Sequence, residues 1–292
     1  LNPTTALTNA ISFHHIADGN RFGNIRLWGT IGWIAAAWVY GLLTTGNYLF
    51  LSQNLKSALQ LSIYGSVILA FYALTLPKGV ITPKSKINLF PIDSFRILLK
   101  PEILFLTVTS AIVMMIDRFY IFGGAPFLKD LHYSEKDILP ILSIGQIPEI
   151  LFLFALSFIL RKFGFTLTIL CGLILEIIRF AIFAFTSSEY FLLTGIAIHG
   201  TTWALFFIPI TIYIDKKCSK YTRAGVQQFY TLFSAIGVMG GNLISGLVAD
   251  SFKTSTNEIN YTMFWSIPLI CSVVVTFLFI ILFNKEKQTN FS

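Results

Sequence analysis

Charge is what this sequence has least of. Only 12% of its 292 residues are Asp, Glu, Lys or Arg, about half the share of an ordinary soluble domain. Hydrophobic residues make up 55%, and mean hydropathy is +0.73. That balance excludes a water-soluble fold, because no soluble core absorbs so much apolar surface. Cysteine is scarce as well. Cys171, Cys218 and Cys271 are an odd number, two of them inside apolar runs, which argues against a disulfide framework and gives no metal site. No phosphate loop, metal cluster or nucleophile motif occurs, so no cofactor is expected. The chain opens on Leu1 with no charged n-region ahead of an apolar h-region, so its start reads as a protein cut inside a helix rather than as a signal peptide.

What remains is long apolar stretches. Runs of about 20 residues cross a bilayer core as helices. Eight are expected here, over 25–47, 58–77, 100–123, 138–160, 165–185, 190–214, 223–248 and 262–283, with residues 1–13 as the last half of another. The expected fold is therefore an all-α, polytopic membrane protein. Lys and Arg set its orientation, since cytoplasmic loops hold their excess. Fifteen, including Arg21, Lys84, Arg161, Lys217, Arg223 and Lys285, fall on one side, against Lys56, Lys129, Lys136 and Lys253 on the other. That places the C-terminus in the cytoplasm. The net charge of +7 is then a topological signal and does not point to nucleic acid.

The longest polar break, residues 78–97, has two prolines and lies on the basic side. Six spans follow it, the layout of one half of a twelve-helix transporter built from two repeats. The expected domains are 1–77, the remainder of an N-terminal bundle; 78–99, a cytoplasmic linker; and 100–292, a six-helix bundle with a short tail.

Polar residues inside spans carry the functional weight, because charge in hydrocarbon is costly unless it faces a cavity or a partner. Arg26, Thr30 and Trp33 stand at i, i+4 and i+7, stacking a cation, a hydroxyl and a ring on one helical face. Gln146 and Glu149 share another face, with Pro148 between them expected to kink the helix and expose the carbonyl of Ile144. His199 and Trp203 repeat the i, i+4 arrangement. Asp117, Arg118 and Tyr120 sit towards the outer end of their span, and Glu176 and Arg179 are spaced to pair. Gly237, Gly241 and Ser245 form a small-residue stripe suited to close helix packing. Two other classes stay in view. His15 and Asp18, preceded by His14, echo an acyltransferase pattern of a membrane enzyme, and a structural scaffold is the third reading.

The segments IRLWGTIGW (25–33), SIGQIPEILF (143–152), IIRFAIFAF (177–185), HGTTWALFF (199–207) and RAGVQQF (223–229) resemble the nucleoside:proton symporters of the major facilitator superfamily. The resemblance covers nearly the whole chain and implies a major facilitator fold of eight full helices plus a partial one. The first full helix would be the family's fifth, with the first three and much of the fourth missing. It further implies proton-coupled nucleoside uptake across the inner membrane by alternating access, with nucleoside, protons and the bilayer as partners, and a monomer at full length. Arg26, Thr30 and Trp33 look like the family's helix-five contacts. Gln146 and Glu149 look like the helix-eight pair that holds the nucleoside, and His199 and Trp203 fall where relatives have aromatics. Asp117 and Tyr120 align where the family has Gln and Asn, a departure. Family members often carry an acid after the helix-ten aromatic; Ala204 stands there, which leaves Glu149 to carry the coupling proton.

Overall fold

The computed structural model describes residues 3–16, 18–45, 55–75, 91–186, 188–255 and 257–283. Among them the regular structure is helical, apart from one isolated bridge between Lys253 and Ile259. In chain order the helices are α1 (Pro3–His15), a 3₁₀ turn (Gly19–Arg21), α2 (Phe22–Thr45), α3 (Leu55–Ala73), α4 (Ile92–Leu98), α5 (Pro101–Asp130) and α6 (Glu135–Ser143). Then come α7 (Gln146–Phe185), α8 (Glu189–Thr202), a π-helical turn (Trp203–Phe207), α9 (Ile208–Lys216), α10 (Arg223–Ser251) and α11 (Tyr261–Phe283). Most of the expected 78–99 linker lies outside the described residues, its described end being α4.

Five stretches are long and apolar enough to cross a membrane, by length and composition, among the described residues. One of them, residues 137–185, holds two passes. Gly164 interrupts α7 at φ 72°, a left-handed conformation that glycine adopts without a Cβ penalty. A straight helix would carry residue 179 about 50 Å from residue 145. Yet both meet His199: Arg179 is hydrogen-bonded to its ring, and a Cβ on Gly145 would lie 3.7 Å from its Cδ2. The chain therefore folds back at Gly164, where the sequence places a short loop between two spans.

The chain divides into two compact units, Leu1–Leu27 with Phe90–Ser292, and Trp28–Leu89. In the larger unit α5 packs along α10, and the small-residue stripe explains how. Gly237 lies against the carbonyl of Ala111, while a Cβ on Gly241 would come within 2.5 Å of the Met115 carbonyl. Ser245 is fully buried one turn further on. Without side chains at these positions the two backbones meet directly. The core is aromatic: Phe127, Phe180, Phe183, Phe264 and Trp265 interleave between α5, α7 and α11. A second apolar cluster joins Phe13 and Phe22 to Leu153, Leu156, Leu205 and Ile212. The outside is apolar as well. Phe154, Leu243 and Phe277 are each more than half exposed, as side chains facing lipid are.

The smaller unit contains α3 and most of α2. Large apolar residues of α3 such as Ile68 and Phe71 are mainly exposed.

Candidate functional site

Helix α7 presents the Gln146–Glu149 face at its first turn. Glu149 is buried, and Gln146 is partly buried with its Oε1 enclosed and unpartnered among the described residues. Pro148 lacks an N–H, and the helical run is interrupted just ahead of it, between α6 and α7. The helix tightens one turn earlier: Ile144 N–H donates to Ile141 O and Ile147 N–H to Ile144 O, both at 3.1 Å. Ile144 and Gly145 keep right-handed helical dihedrals. Proline cannot supply the donor that an α-helix would give Ile144, so the preceding N–H takes that carbonyl in an i→i+3 bond. The carbonyl expected to be exposed is thus occupied.

Gly200 on α8 faces this turn. A Cβ there would overlap the carbonyl of Gly145 and come within 2.9 Å of the Glu149 Cβ. Two glycines at the crossing let α8 bring His199 beside the start of α7. Trp203, four residues on, packs against Phe207 with ring centres 4.6 Å apart and planes tilted by 41° within the π-helical turn. Pro209 has no N–H to return, and the Ile208 N–H reaches back five residues to Trp203 O.

Behind His199 lies a buried ion cluster. Arg179, fully buried, donates through Nη2 to Glu176 Oε1 at 2.5 Å and to Asp117 Oδ1 at 3.2 Å. Its Nη1 lies 2.5 Å from His199 Nδ1 and 3.3 Å from Asp117 Oδ1. The other Asp117 oxygen accepts from Arg118 at 2.7 Å. The Arg179 guanidinium also sits over the Tyr120 ring, 5.1 Å from its centre, and that ring lies 4.4 Å from the His199 ring. Tyr120, with Phe183 and Trp265, lines a cavity of about 10 Å³. Two carboxylates and two guanidiniums balance, which is what makes burying Asp117, Glu176 and Arg179 beside the partly buried Arg118 tolerable.

The sequence singles out most of these residues separately. Only the i, i+3 pairing of Glu176 with Arg179 follows from spacing. That the pair reaches Asp117 and His199 from other helices does not, although the sequence carries a signal in four titratable side chains within apolar spans. Asp117, which sequence reasoning allowed to lie at an interface, is buried in the bundle.

Of the α2 face, Arg26 is partly buried, Thr30 buried and Trp33 54% exposed. Thr30 and Trp33 belong to the smaller unit and Arg26 to the larger. The His14–His15–Asp18 pattern has a local explanation. Asp18 accepts from Asn20 N at 3.0 Å, capping the 3₁₀ turn, and its carboxylate lies 3.8 Å from Arg161. No group of metal-ligating side chains occurs among the described residues, and their cysteines are free.

The family model described as "Nucleoside H+ symporter" matches residues 1–288. The chain belongs to the nucleoside:proton symporter family. Two similar proteins come from Escherichia coli (strain K12). One, named "Putative nucleoside transporter YegT", is 28% identical over 98% of this chain and 70% of its own length. A xanthosine permease is 28% identical over 86% of this chain and 64% of its own length. The crystal structure of the nucleoside transporter NupG superposes with a TM-score of 0.64 at 25% identity, covering 96% of this chain and 73% of that one. Membership makes the chain a multi-pass membrane transporter of the major facilitator fold. Among the described residues of this symporter, the Gln146–Glu149 turn and the ion cluster behind His199 are concentrations of buried polar chemistry, and Asp215 with Arg223 and Gln227 is another.

Proposed function

We propose that this chain takes part in proton-coupled nucleoside uptake across the cytoplasmic membrane by alternating access, with its C-terminus in the cytoplasm and the full-length protein a monomer. One observation carries the reading: the enclosed, unpartnered Gln146 Oε1 beside buried Glu149, on one face of an intramembrane helix. A buried acceptor without a donor is unfavourable until something supplies one. A ribose hydroxyl is a donor of the right kind, and Glu149 one turn away is a second acceptor for the neighbouring hydroxyl. Trp203 offers a face for the base, and Arg26 adds a polar contact. Asp117 and Tyr120 act from behind His199, against which both rest. On this reading residues 1–77 belong to the N-terminal bundle, 78–99 link, and 100–292 form the C-terminal bundle. Glu149, buried in the spanning helix, is the acid that takes up and releases the coupling proton.

The test is uridine uptake into proteoliposomes under an imposed pH gradient. Glu149→Gln keeps size and hydrogen bonding but cannot titrate, so it abolishes accumulation. Gln146→Ala raises KM. If Glu149→Gln still concentrates uridine in response to the gradient, the acid is only a ligand. If the unmutated protein accumulates another class of polar solute and ignores nucleosides, the substrate assignment falls.

A further inference from the structure

We infer that His199 is a second proton-binding residue of the transport cycle, exchanging Arg179 for Asp117 as its partner when it is protonated. The inference rests on the proton-coupled reading above and adds a residue to it.

His199 Nδ1 lies 2.5 Å from a donor, Arg179 Nη1, and 3.2 Å from an acceptor, Asp117 Oδ1. One ring nitrogen serves only one of them at a time. With a lone pair on Nδ1 it accepts from Arg179, and the neutral ring carries its hydrogen on Nε2. With a proton on Nδ1 it must turn from Arg179 to Asp117, because two N–H groups pointed at each other repel. The step is a simple protonation: an N–H bond forms at Nδ1, the Arg179 N–H···Nδ1 hydrogen bond breaks, and an imidazolium–carboxylate pair replaces it. Release to the cytoplasm reverses each change.

The surroundings support such an exchange. Arg179 keeps Glu176 Oε1 and Asp117 Oδ1 as acceptors when it lets go of the ring, so the guanidinium is not stranded. Asp117 keeps Arg118 on its other oxygen. Tyr120 lies 4.4 Å away, and an imidazolium beside its ring is favourable. The charged groups around His199 are thus Arg179 and Glu176 from α7, Asp117 and Arg118 from α5, and Glu149 across the Gly145–Gly200 crossing. The His199 side chain is also 10% exposed, against 3% or less for Asp117 and Glu176, which makes it the most accessible proton acceptor of the cluster. Gly145 and Gly200 press the His199 turn onto the turn bearing Glu149, leaving no slack between the two sites. A change of partner at Nδ1 is therefore felt where substrate binds.

Two measurements test it. In ¹⁵N-histidine-labelled protein, the signal removed by His199→Gln should pass from a neutral, Nε2-protonated ring to an imidazolium as pH falls, its new Nδ1–H hydrogen-bonded in the unmutated protein and not in Asp117→Asn. In proteoliposomes, His199→Gln should make uridine uptake with a pH gradient equal to uptake without one. A ring that stays neutral wherever the protein remains folded overturns the inference, as does a His199→Gln protein whose uptake still responds to the gradient. If Glu149→Gln abolishes the response and His199→Gln does not, the single-acid reading stands and this one fails. If the unmutated protein shows no gradient response, the functional reading fails, and the histidine spectrum still decides whether His199 exchanges partners.

Discussion

Arg179→Leu removes the one guanidinium shared by Glu176, Asp117 and His199. Asp117 retains Arg118 at 2.7 Å, but Glu176 is left fully buried with no cation on its inner oxygen. Four charges that summed to zero become two negative and one positive. Removing one partner of a buried pair costs about 3–5 kcal/mol, because the other charge stays behind without compensation. Glu176→Leu combined with Arg179→Leu takes out one charge of each sign and leaves the Asp117–Arg118 pair. Replacing a buried ion pair with apolar residues of similar volume is often neutral or stabilising. The double variant is therefore expected to melt near the unmutated protein and well above Arg179→Leu, whatever either does to transport. Thermal unfolding of detergent-solubilised protein, followed by tryptophan fluorescence, reads this directly. If Arg179→Leu melts with the unmutated protein, or the double variant melts no higher than the single one, the charges do not compensate one another and the reasoning is refuted.

Gly200→Ala forces a methyl into the Gly145 carbonyl, and overpacking of this kind costs about 1–3 kcal/mol; a lowered melting temperature with impaired uridine uptake is expected, and unchanged values would show that the crossing has room. In a cysteine-free background, Lys220→Cys should label only from the cytoplasmic side and Ser255→Cys only from outside; reversed labelling would overturn the orientation. Burial of Cys218, just past the end of α9, pushes its thiol up to about 12, with Asp215 adding to the rise. Since the thiolate is the nucleophile and a raised value keeps the thiol protonated at neutral pH, maleimide should modify Cys218 far more slowly than a cysteine at exposed Lys220, and faster as pH rises. Equal rates at neutral pH would contradict that environment.

The membrane class, the helical fold and the glycine stripe of α10 were legible because each depends on local composition or on residues sharing one helix. Gly237, Gly241 and Ser245 recur every four residues, and such a row has one use whatever it meets. The Gln146–Glu149 pairing was legible for the same reason. Periodicity tells which residues share a face, not which faces of distant helices meet. Asp117 and Arg179 are 62 positions apart, and no spacing rule brings them together. The turn before Pro148 escaped for another reason: the rule for proline names the missing donor but not which neighbouring N–H replaces it. Gly164 could be placed as a loop, yet helical hydrogen bonding runs on either side of it, and only its positive φ marks the reversal.

The π-helical turn at Trp203–Phe207 has a consequence for comparing this protein with its relatives. An i→i+5 ring holds one residue more than an α-turn, and each residue advances the helix by about 100°. Everything after Phe207 is therefore rotated by about that angle relative to an uninterrupted α-helix drawn on from His199. A helical wheel continued through the turn would give Thr211 and Asp215 the wrong azimuths, although both are buried where they stand. Deleting one residue between Ala204 and Phe206 would swing those two around the axis and tear Asp215 from Arg223, its partner at 2.6 Å, while leaving local helicity intact. Insertions and deletions in this short segment thus act as changes of rotation, and residues beyond it correspond between relatives only once the bulge has been counted.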